Sequence, residues 1–215
     1  KPSKGKGPKV INYEDLEIGA QMNDEGRYEE AVEFFNQALA IKISKVGEDH
    51  EDVAYIYREL AFATSMLGEN GLEKAAELYK KSLEIYKKKY SDDHEHIIAI
   101  YKELGFTYHD LGKNQEGIEC LEKAIQAQKS VYGDDYEGLS PCYKHLGNMY
   151  SDLGFFMKSV ENYELYYKHL CAQHEKKLAT EAKEDNPASG ENNNDNDDAW
   201  EDEDEDENKV LPLDK

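Results

Sequence analysis

Apolar residues recur along most of the chain at steps of three and four, as in Val32, Phe35, Leu39 and Ile43. That period puts side chains on one face of a helix, so it predicts amphipathic helices and no sheet. The helical stretches are interrupted by Leu-Gly pairs at Leu67-Gly68, Leu111-Gly112 and Leu153-Gly154. Before each pair stands a similar segment: Tyr57-Arg58-Glu59-Leu60, Tyr101-Lys102-Glu103-Leu104 and Tyr143-Lys144-His145-Leu146. These segments lie 44 and then 42 residues apart, and a longer turn over Glu69 to Gly71 accounts for the two extra residues. A weaker first copy turns at Gly26, so four repeats span roughly Asn12 to Leu170. Self-similarity at this period is the mark of a stacked array.

Each copy reads as a helix, a glycine turn and a second helix, because glycine takes the positive φ that follows a helix end. Small residues recur where two helices must approach: Gly19, Ala61, Gly105 and Gly147 on the first helix, Ala31, Ala75, Gly117 and Ser159 on the second. Large ones fill the space between, at Phe35, Tyr79, Leu121 and Tyr163. Small against large at fixed places is what a stack of helix hairpins needs.

These residues resemble the tetratricopeptide repeat family, and within it the longer repeats of kinesin light chain and nephrocystin-like proteins. The closer likeness lies in the turns Gly47-Glu48-Asp49-His50, Ser91-Asp92-Asp93-His94 and Gly133-Asp134-Asp135-Tyr136, whose aspartates are expected to cap the next helix. The resemblance implies an all-α solenoid coiling as a right-handed superhelix, with residues 12–180 as the repeat body and a C-terminal capping helix. It implies a protein–protein interaction scaffold and no enzyme. It further implies that first helices line a concave groove, here presenting Tyr55, Arg58, Phe62 and Met66, then Lys102, Phe106 and His109, then Lys144 and Asn148. Arg58, Lys102 and Lys144 would form a ladder of exposed cations beside the rings, suited to an extended acidic peptide with an apolar anchor, that is, to an acidic or aromatic-anchored segment. A solvated charged face, with Glu59 and Glu103 neutralising their neighbours, is the plainer alternative.

The carboxylate grip of tetratricopeptide co-chaperones does not transfer. Its places hold Leu16, Ala20, Glu59, Ala99 and Glu103, and a carboxylate would be repelled by two of them. Cofactors and metals are not expected either. His94 and His96 start a helix with no second ligand pair nearby, and no cysteine has a redox or zinc spacing.

Charge changes the picture at the ends. The formal net charge is −21, and residues 181–215 carry −12 of it. Residues 1–11, with Lys1, Lys4, Lys6 and Lys9, are expected to form a basic, flexible stub, and a start at Lys1 predicts that further residues precede it. An acidic body and tail argue against nucleic acid as a partner. No apolar run is long enough to insert in a membrane. Three unpaired cysteines suit a reduced, cytoplasmic setting, with a structural place in a cytoskeletal or ciliary assembly as the alternative to an adaptor. The acidic tail, 181–215, lacks apolar period and is expected to be disordered alone. Its Trp200, set among acids, and its Leu211 and Leu213 are candidate contacts. They would reach a partner or fold back on the groove.

Overall fold

The computed structural model describes residues 13–184. Among them there are eight α-helices and no strand: α1 (Tyr13–Asp24), α2 (Tyr28–Val46), α3 (Glu51–Ser65), α4 (Glu69–Lys87), α5 (Glu95–Asp110), α6 (Asn114–Tyr132), α7 (Ser140–Asp152) and α8 (Phe156–Glu184). A short 3₁₀ turn, Glu137–Leu139, precedes α7. Trp200, Leu211, Leu213 and the basic stub lie outside the described residues.

The expected glycine turns close the hairpins. Gly26, Gly68, Gly112 and Gly154 all take φ between 69° and 96°, the left-handed region that side chains avoid. Within the hairpins, small residues meet large ones as the pattern requires. A Cβ on Gly105 would lie 2.6 Å from Leu121, and one on Gly147 would lie 3.1 Å from Tyr163. Ser159 goes further and donates to the Gly147 carbonyl at 2.8 Å, while Ser82 donates to Ala54 at 2.6 Å. Two of the small residues therefore bolt the helices together as well as letting them approach.

Two sequence expectations are corrected. Residues Glu69 to Gly71 are no extended turn, because α4 begins at Glu69. Gly71 sits in its first turn so close to α3 that a Cβ would lie 2.0 Å from the Thr64 carbonyl oxygen. At the first two of the named turns the caps are histidines, not aspartates, and at the third Tyr136 makes no side-chain cap. Nδ1 of His50 accepts from the Asp52 amide, and Nδ1 of His94 from the His96 amide. The turn aspartates pair instead with lysines at the ends of second helices: Asp49 with Lys88, Asp92 with Lys87 and Asp134 with Lys129.

The core runs in two parts. The larger joins α1 to α5 around Phe35, Ile56, Leu60, Tyr79 and Ile97. The smaller joins α6, the 3₁₀ turn and α7 around Leu121, Leu139, Cys142 and Met149, with Tyr166 of α8 against it. The stack ends abruptly. Ile118 and Ile125 of α6 are 4% and 8% exposed beside α7, whereas their equivalents on α8, Val160 and Tyr167, are 52% and 58% exposed. One compact unit closes at Lys176. From Lys177 onward a second unit begins, whose described part is the end of α8 with a Lys177–Glu181 pair at 3.8 Å.

Candidate functional site on the odd helices

First helices touch their successors: α1 meets α3, α3 meets α5 and α5 meets α7. Among α2, α4 and α6 no pair is in comparable contact. The repeat unit therefore curves toward its odd helices, and their shared side is the inner face.

A seam of polar residues runs along this face at equivalent places in successive repeats. Between α1 and α3, the Asn23 amide donates at 3.2 Å to both the backbone carbonyl and the carboxylate of Glu59. Between α3 and α5, the Tyr79 phenol stands by Ser65 and Glu103 and bears on both. Between α5 and α7, Nδ1 of His109 meets Nδ1 of His145 at 3.1 Å. Glu59, Glu103 and His145 fall on the buried helical stripes of Ile56–Ala63, Ile100–Thr107 and Cys142–Met149. Their phase could have identified them, since each lies three residues after one buried position and four before the next.

The burial sets their chemistry. Enclosure pushes the Glu103 carboxyl up to about 7, with Arg58 pulling the other way and Glu59 adding to the rise. One of its oxygens is buried without a hydrogen-bond partner. His145 is driven down to about 4 by burial, then by His109 and Lys144. Burial works against the Arg58 charge, but Glu59 and then Glu103 outweigh it and hold the guanidinium above its ordinary value.

The expected groove residues meet on this inner face in varied states. Arg58 is no exposed rung, since its side chain is 19% exposed, hydrogen-bonds Glu59 and lies 5.4 Å over the Tyr55 ring. Of the three cations, Lys102 is half-buried and Lys144 exposed. Phe62 meets Tyr28 edge-on at 6.2 Å, and Phe106 lies tilted against the His145 ring at 4.2 Å. His109 also faces Asp152 at 3.8 Å, and Asn148 accepts from the Tyr163 phenol. Met66 ends α3 in the open. Six of the nine, Tyr55, Arg58, Phe62, Phe106, His109 and Asn148, thus have internal partners through their polar groups or rings in ways spacing could not reveal.

A family model for the tetratricopeptide repeat matches residues 15–88 and 96–171. The chain belongs to the tetratricopeptide repeat family. Solved structures with this arrangement include BtubC (BKLC) from P. vanneervenii, at 22% identity and TM-score 0.66, covering 73% of this chain and 62% of that one. The chain thus spans less than two thirds of BtubC. A Podosopora anserina protein described as a kinesin light chain with nearly identical TPR-like repeats matches at 23% identity and TM-score 0.63, covering 75% and 74%. MamA matches at 17% and 0.57, covering 75% and 79%. No curated protein matches the sequence. A tetratricopeptide stack of this kind is a scaffold for protein–protein interaction. No helix among the described residues is long and apolar enough to cross a membrane.

Proposed function

We propose that the chain is a non-enzymatic adaptor whose inner face takes an extended peptide carrying acidic residues and an aromatic anchor. The observation that supports it is the row on the odd helices of half-buried rings with Lys102, half-buried, and Lys144, exposed. Phe62 and Phe106 offer apolar area, and Lys102 and Lys144 are the cations no carboxylate on this face pairs with directly. Arg58 serves beneath them as a fixed support for Glu59. Residues 181–215, rich in acids, add a second contact to a basic surface of the same partner.

The test is selection of displayed random peptides on the immobilised full chain. Acidic sequences with one aromatic residue should enrich, and Lys102→Glu/Lys144→Glu should abolish the enrichment without lowering the melting temperature. Enrichment that survives this double reversal would place binding elsewhere. A fixed place in a cytoskeletal assembly is the second reading, favoured by the likeness to a kinesin light chain. Co-sedimentation with the intact assembly, and no capture of isolated peptides, would select it.

A further inference from the structure

At the N-terminal ends of α3 and α5 lies a cavity of about 220 Å³ with an unusual lining. Its rings are Tyr55, Tyr86, Tyr90, His94 and His96. Four of them stand close enough to form one aromatic wall, with Tyr90 to His94 at 3.9 Å, Tyr86 to His96 at 4.9 Å and His94 to His96 at 5.3 Å, while the fifth, Tyr55, already carries Arg58 5.4 Å over its ring. Its remaining lining is three carboxylates, Glu51, Asp52 and Glu95. No lysine or arginine lines it.

Two cations stand near, and both are engaged. Lys42 pairs with Asp52 at 2.9 Å, and Arg58 is held by Glu59. Glu51 accepts from the Tyr90 phenol at 2.7 Å, which fixes that ring but brings no positive charge. Glu51 and Glu95 therefore leave the cavity negative. Burial, then Arg58, keep His96 toward its neutral form, so the wall gains no charge from it.

We propose that this cavity is a receptor for a lysine ammonium group, methylated or not, presented by a partner peptide. Aromatic faces attract a cation through their negative quadrupole, and carboxylates at the rim add Coulomb attraction. An anion would meet carboxylates here, and a neutral group would leave them unanswered. The site does not depend on the peptide reading of the inner face, because its determinants are separate from Lys102 and Lys144.

The experiment titrates the full-length, tyrosine-labelled chain with N-acetyl-trimethyllysine methylamide, the unmethylated lysine derivative and the neutral neopentyl isostere of the first. Ring shifts of Tyr86 and Tyr90 are followed by NMR. The trimethylated cation should bind about tenfold tighter than its neutral isostere. Glu95 is exposed, so Glu95→Lys should weaken binding about fivefold or more with an unchanged melt. Tyr90→Leu should remove it. Equal affinity for the unmethylated derivative supports the receptor and assigns plain lysine. Equal affinity for the neutral isostere, shifts that map to other tyrosines, or no saturation with either cation would overturn the proposal.

Discussion

The seam between α3 and α5 and the seam between α5 and α7 occupy the same place in successive repeats, yet their chemistry is opposite. The first encloses a carboxyl, Glu103, beside Arg58, Glu59 and the Tyr79 phenol. The second encloses an imidazole, His145, between His109 and the Phe106 ring. The fold asks only that the position be filled and kept in register, so charge there is free to vary. Acid separates the two seams. Glu103 has its folded pKa raised, so its contribution is full at low pH and is lost as pH rises toward 7. His145 has its folded pKa lowered, so its contribution is full above about 6.5 and is lost as pH falls through about 4. Over the same range one seam tightens on acidification while the other loosens.

The largest expected effect tests the packing behind both seams. Gly105→Leu would drive a side chain into Leu121 and should cost about 3 kcal/mol. A Cβ at Gly147 would meet Tyr163 at 3.1 Å rather than 2.6 Å, so Gly147→Leu should cost about half as much. Chemical denaturation of both variants checks the ranking, and equal losses would mean that the two junctions are equally tight.

The second effect belongs to the carboxyl seam. Full ionisation of Glu103 above pH 7 costs on the order of 3 kcal/mol, from the rise of its pKa from 4.5 to about 7. Part of the residue is still in water, so Glu103→Gln should gain about 2 kcal/mol at pH 8 relative to its effect at pH 4. Melts that shift equally at both pH values would show that Glu103 ionises freely.

The smallest effect is on the imidazole seam. His145→Gln should flatten the loss of stability between pH 6.5 and 4 and lower the acid midpoint by on the order of half a pH unit. At pH 7.5 the variant should be slightly weaker, because the ring contact with Phe106 is gone. A steeper acid transition would reverse the sign assigned to His145.

The hairpins and their glycine turns were legible because a repeat states its rules several times. Gly105 against Leu121 is one sentence written again at Gly19 and Phe35. The seam was less legible, although its phase was in view. Glu59 and Glu103 look like surface charges, and adjacent Arg58 and Lys102 drew the eye to a ladder of cations. Only tertiary packing shows that Arg58 is enclosed while Lys144 stays in water. The caps escaped for another reason. His50 and His94 do with an imidazole nitrogen what an aspartate oxygen usually does, and the neighbouring aspartates were already taken by lysines.

The bare outer side of α8 governs how the stack comes apart. In a linear array each hairpin is held by its neighbours, and among the described residues α8 has a neighbour on one side only around Val160 and Tyr167. Opening should therefore travel inward from that end as a zip does, with the amides of α8 exchanging with solvent hydrogen before those of α6. Trypsin should find Lys158 and Lys168 early, while Lys123, on α6 beside an occupied neighbour, should be cut only when the whole array unravels.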